Sequence, residues 1–263
     1  MKTKQLIKIN VLLSMVCIQV CCSHTPQNKK DKEPVSGTLS EEYWDRIASN
    51  TAVKQTYQVR IDRIVEQLFK DKKMQAVEEE LKNIAQVHTD FYAMYWKAYL
   101  LYYTAVYYKM IVADEGKATE AIAESLAVIR EKEYENSEYY ALLAQATSFS
   151  IQFANIMQLA KISMAVETAA QKALALNKDN LRAYLVLASH NFHTPKMFGG
   201  MQKVETYAVE GLACPDALTS EDYAPTWGRN QLYQLLLQYY KQEGKQTQLE
   251  ELRIKYDLNL SHK

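Results

Sequence analysis

The sequence predicts an all-α protein, a helical-repeat solenoid of about five helix pairs, and three observations carry that prediction. Backbone punctuation is sparse: the 263 residues hold seven glycines and five prolines, with no proline and only Gly116 between Thr38 and Thr194. A sheet-rich fold with many tight turns needs more of both. Apolar residues recur at helical spacing through consecutive stretches joined by short polar turns. The chain also resembles itself at a period of 44–46 residues. Asp90 to Ala98, Asn136 to Ala144 and Asn180 to Ala188 each open a first helix, so that Ala98, Ala144 and Ala188 align. Small residues at such points let two helix axes approach closely.

Residues 1–22 read as a signal peptide. Lys2, Lys4 and Lys8 make a positive start, and the mainly apolar run from Ile9 to Cys22 is too short to span a bilayer comfortably as a helix. Cys17, Cys21 and Cys22 lie in this run. A cysteine closing an apolar run before a polar stretch resembles the lipid-attachment signal of bacterial lipoproteins. That resemblance implies lipidation at Cys21 or Cys22, with an ordinary cleaved signal or an uncleaved anchor as the alternative. Residues 23–37, with Pro26, Pro34 and the Lys29 to Lys32 charge run, form a flexible tether. Only Cys214 remains beyond this region, so no disulfide framework supports the fold and packing must do so.

The helical-repeat domain is expected over 38–260. Thr38-Leu39-Ser40-Glu41 reads as a capping box opening a helix with Tyr43, Trp44 and Ile47. Amphipathic periodicity then places helices at 52–70, 73–88, 90–112, 115–132 and 137–156, and again at 158–176, 180–193, 201–213, 228–242 and 246–257.

The stretch from Ala169 through Leu176-Asn177 to Ala188 resembles the tetratricopeptide repeat, whose second helix ends in an Ala-x-x-x-Leu-x-Asn-type turn. The resemblance implies a right-handed solenoid. The segment Asn191 to Gly200, with Ala224-Pro225-Thr226-Trp227-Gly228 after it, is similar to paired signatures in exported bacterial tetratricopeptide-like proteins, many from Bacteroidetes-type bacteria. A similar arrangement occurs in the periplasmic T-component associated with TRAP transporters. These resemblances imply a cell-envelope protein with no catalytic residues to transfer.

The same segments have a structural reading. Pro195 stops a helix, Gly199-Gly200 supplies backbone angles closed to other residues, and Met197 and Phe198 are expected to plug the groove between pairs. In the second signature Pro225 rigidifies, Trp227 plugs and Gly228 lets the backbone pass close by.

Candidate functional residues are few. Tyr95, Tyr99 and Tyr102 share one helix face by spacing. They either pack between repeats or line a concave surface that grips a peptide or ring-bearing ligand. His190 and His193 sit one turn apart with Cys214 as a conceivable third ligand, but no diagnostic metal spacing is present, and no metal or other cofactor is expected. There is no G-x-S-x-G elbow, phosphate loop or dinucleotide fingerprint, and Glu78-Glu79-Glu80 reads as a solvated face. With 31 basic and 31 acidic residues, nucleic-acid binding is disfavoured. The expectation is a non-enzymatic adaptor, lipid-anchored in the bacterial envelope facing the periplasm or the outer-membrane surface, which holds a protein or peptide partner. The alternative is a periplasmic small-ligand carrier beside a transporter, with its pocket near His190, Phe198 and Trp227.

Overall fold

A computed structural model describes residues 56–87, 89–215 and 222–261. The signal peptide, the tether, Cys21, Cys22 and the capping box at Thr38 lie outside the described residues. Within them the chain forms ten α-helices and no strand. The helices are α1 (Tyr57–Asp71), α2 (Gln75–Val87), α3 (Asp90–Tyr107), α4 (Glu115–Glu131), α5 (Ser137–Ser150), α6 (Ile156–Leu176), α7 (Leu181–His193), α8 (Val204–Ala213), α9 (Arg229–Gln242) and α10 (Gln246–Ser261). They pair as α1/α2 through α9/α10. The first helices α1, α3, α5, α7 and α9 touch in a row, and each second helix from α2 to α8 packs on its own partner and on the next first helix. That is the neighbour-to-neighbour contact pattern of a helical repeat.

Most helix boundaries fall within a few residues of the expected ones, and the departures have local causes. The helix expected over 90–112 ends at Tyr107 and passes through a π turn, Tyr108–Val112, to Ala113 in the left-handed region at φ 59°. Asp114 then caps α4 by accepting from the Lys117 backbone N–H at 3.0 Å. The helix expected over 137–156 ends at Ser150 and is followed by a 3-10 turn at Ile151–Phe153. Asn155 opens α6 with a capping box: it accepts from Met157 N at 3.1 Å and Gln158 N at 3.2 Å, and the Gln158 side chain accepts from Asn155 N at 3.1 Å. Helix α8 starts at Val204, not at 201, because Met201 takes φ 69° and Asn191 Oδ1 accepts from Lys203 N at 2.8 Å.

One core runs the length of the described chain, from Tyr57 to Leu249. Ala98, Ala144 and Ala188 are all fully buried, as the repeat alignment requires of close-approach points.

The segment between α8 and α9 departs from a simple solenoid. Residues 222–228 lie across the first helices α1 and α3. Asp222 O accepts from Tyr57 N at 2.8 Å, and Tyr223 O accepts from Trp96 Nε1 at 2.9 Å. Thr226 N donates to Gln58 Oε1 at 3.2 Å, and Trp227 Nε1 donates to the Tyr95 hydroxyl at 2.9 Å. Gly228 makes the turn possible. Its φ is 114°, and a Cβ there would stand 2.6 Å from Leu181 Cδ2.

Beneath this segment lies a buried ion pair. Arg182 on α7 donates from Nε and Nη2 to Glu138 on α5, with Nη2 2.6 Å from Oε1, and from Nη1 to Trp227 O at 3.1 Å. Its side chain is 8% exposed and that of Glu138 is 17% exposed. Asn180 Nδ2 adds a bond to Glu138 Oε1 at 3.0 Å. Replacing one member strands the other as a buried charge, so Arg182→Met should cost about 3–5 kcal/mol in urea unfolding. Adding Glu138→Leu should return much of that loss. A single variant as stable as the parent protein would mean that the pair is not a structural constraint.

Candidate functional site

Tyr95, Tyr99 and Tyr102 do share a face of α3, but that face lies inside the molecule, and all three rings are buried. Tyr95 and Tyr99 stack with centroids 6.4 Å apart, and Trp227 lies 5.5 Å from Tyr99. Tyr102 accepts from Gln145 Nε2 at 2.7 Å. Burial holds the phenols of Tyr95 and Tyr99 well above their ordinary pKa of 10.0, so they stay neutral. These rings pack inside the protein and do not line an open concave surface: Trp227 lies against Tyr95 and Tyr99, and α5 packs on Tyr102. Trp227 is the plug.

Met197 and Phe198 do the reverse of what their apolar character predicts. They are 82% and 71% exposed and do not fill the groove between pairs. Pro195 O accepts from both Phe198 N at 2.8 Å and Gly200 N at 3.2 Å, and this tight turn carries the intervening side chains outward. Met201, drawn in by its N–H bond to Asn191 O at 2.9 Å, is buried instead.

His190 is buried on α7, with Nε2 2.7 Å from Ser163 Oγ on α6. Cys214 is buried with its Sγ 3.4 Å from Glu210 O, and burial pushes its thiol pKa up. Among the described residues no three His, Cys, Asp or Glu side chains converge as a metal site. His190 is therefore a contact to α6, Phe198 an exposed loop tip and Trp227 a core plug.

The structure exposes a different site, on the outer side of α6. Asn155 starts this helix early, and its first turns project from the body: Ile156 is 84%, Met157 86% and Met164 68% exposed. Met157, Ala160, Lys161, Met164, Ala165, Thr168, Ala169 and Lys172 recur at three- and four-residue steps. At 1.5 Å per residue this stripe is about 22 Å long. Tyr140 and Leu143 of α5 border it, and together they form a shallow trough, open to solvent, of about 660 Å³. Buried Ala169 and Tyr140 lie at its base, exposed Met157 and Met164 supply polarizable thioethers, and Lys161 and Lys172 place positive charge along it. Sequence reasoning missed this site, although the signal was present. Helix α6 carries apolar residues on more of its circumference than one buried face uses.

No family model matches the chain. No curated protein matches it either. A solved structure, the HusA haemophore from Porphyromonas gingivalis, is similar in fold. The two are 24% identical with a TM-score of 0.51, over 71% of this chain and 94% of that one. A likeness at that identity speaks to the helical fold. No helix among the described residues is long and apolar enough to cross a membrane.

The His190 contact ties the α6 face to pH. Burial pulls the ring below its ordinary pKa of 6.5, with the Glu167 charge acting in the opposite sense. The unfolded chain therefore binds the extra proton first as pH falls. The stability owed to neutral His190 should be complete above 6.5 and lost as pH drops toward the lower folded value. Urea unfolding across this range should show a slope no steeper than about 1.4 kcal/mol per pH unit, and His190→Gln should flatten it.

Proposed function

We propose that this chain is a non-catalytic binding protein of the bacterial cell envelope that carries a flat, apolar, acid-bearing small molecule of the tetrapyrrole class. The ligand lies in the trough between α5 and α6. The observation that carries this reading is the trough itself: a shallow, solvent-open apolar surface bearing Met157, Met164, Leu143 and Tyr140, with Lys161 and Lys172 along it. An exposed apolar patch of this kind marks a candidate binding surface. The solved structure similar in fold is a haemophore, and haem has both features that the trough would recognise, an apolar ring and carboxylates. The export signal expected over residues 1–22, and lipidation at Cys21 or Cys22, would place such a carrier where extracellular ligands are met.

Titrating haem into the purified mature chain should shift and sharpen its Soret band to saturation at one equivalent. Met164→Asp, on an exposed side chain, should weaken binding by at least about tenfold, equivalent to about 1.4 kcal/mol, while leaving the helical circular dichroism unchanged. An unshifted band with parent protein, or full binding by the variant, would remove the trough from consideration.

A protein partner is favoured by a separate observation, the exposed Met197-Phe198 tip between α7 and α8. In that reading Phe198→Ser should abolish in-envelope cross-linking to the partner and leave haem binding intact.

A further inference from the structure

The trough ends at a small polar cluster that its apolar character does not require. Glu133, in the turn between α4 and α5, accepts a short hydrogen bond from the Tyr140 hydroxyl. Lys172 Nζ lies 3.3 Å from the same carboxylate oxygen, Oε1, and 4.3 Å from the centroid of the Tyr140 ring. Two donors that line the trough thus converge on one carboxylate oxygen that comes from outside it. We propose that Tyr140 and Lys172 form the acid-recognition subsite of the trough, and that Glu133 occupies it in the free protein as an internal surrogate for the carboxylate of the ligand. This inference rests on the tetrapyrrole reading and adds to it which donors take the acid and what they release to do so.

The energetics favour exchange. The side chain of Glu133 is 67% exposed and that of Lys172 is 48% exposed, so the pair stands in water and contributes little to the fold. A carboxylate held over the cluster by the apolar contacts of its own ring competes at high effective concentration, whereas Glu133 returns to solvent at little cost. The Tyr140 hydrogen bond, followed by Lys172, holds the Glu133 carboxyl below its ordinary pKa of 4.5. It therefore competes as an anion throughout the neutral range. Tyr140 keeps its donor position in either state because its ring is buried. Lys172 keeps its position because the ammonium rests against the ring face.

The test compares protoporphyrin IX with its dimethyl ester, which keeps the ring and lacks the acids, by fluorescence titration of the full mature chain. Lys172→Gln should weaken diacid binding about fivefold and leave the ester unchanged. Glu133→Gln should strengthen diacid binding about threefold, again without effect on the ester, and both differences should shrink in high salt. Both substitutions are at exposed positions, and circular dichroism verifies the fold. Diacid binding that is unchanged or weakened by Glu133→Gln overturns the surrogate. Diacid and ester binding that respond alike to Lys172→Gln overturn the subsite while leaving the trough intact. Binding of neither porphyrin overturns the trough itself.

Discussion

A guanidinium held between a carboxylate and a backbone carbonyl fastens the 222–228 segment to the row of first helices. Arg182 spends two of its nitrogens on Glu138 and a third on Trp227 O, and the indole of Trp227 reaches Tyr95. Burying both ions costs several kcal/mol each, which only a full set of bonds offsets. The set is nearly full here, since Asn180 supplies a further donor to Glu138. This arrangement fixes three first helices, α3, α5 and α7, against one strap of chain. The row of first helices is the surface a helical solenoid ordinarily offers to a partner. In this chain residues 222–228 lie across part of that row, against Tyr57, Trp96, Tyr95 and Arg182.

The periodic part of the fold was legible because it is local and repeated. Sparse glycine and proline, apolar spacing and the aligned alanines placed ten helices, and the fully buried Ala98, Ala144 and Ala188 bear out the register. The strap was not legible as a long-range contact. Trp227 meets Tyr95 across 132 residues, once, and a single contact leaves no period to detect. Only its local chemistry could be read: Pro225 to stiffen, Trp227 to plug, Gly228 to pass close. The smaller misses have the same origin. Nothing in the apolar pattern says that Asn155 will cap a helix two residues early, or that a turn closed on Pro195 O will face Phe198 outward.

Helices α3 and α6 show why the candidate site was harder still. Both are apolar around much of their circumference, a pattern that ordinarily means burial on all sides. In α3 that expectation holds: the strap lies against Tyr95, Trp96 and Tyr99, α5 packs on Tyr102, and all four are buried. In α6 only the side bearing Val166, Ala170 and Ala173 is covered, and Met157 and Met164 stand in solvent. Residue type distinguishes the two cases. The α3 side chains are rigid rings with hydroxyls, and several have fixed polar partners inside the protein, such as Gln145 for Tyr102 and Trp227 for Tyr95. The α6 side chains are thioethers and alanines, which need no polar partner and can adjust to whatever lies against them.

That contrast also explains the placement of charge. A trough that closes on its own chain has no use for ammonium groups at its edge, because their desolvation would oppose closure. Lys161 and Lys172 sit on the same stripe as Met157 and Met164, where long stems extend the apolar surface and the charged ends stay wet. On the proposed reading, a ligand that brings its own negative charge would gain from these ammonium groups. Glu133 supplies that charge at one end while the trough is open to water. On the same reading, selectivity would come from two independent requirements, a flat apolar face against the methionines and an acid for the lysines.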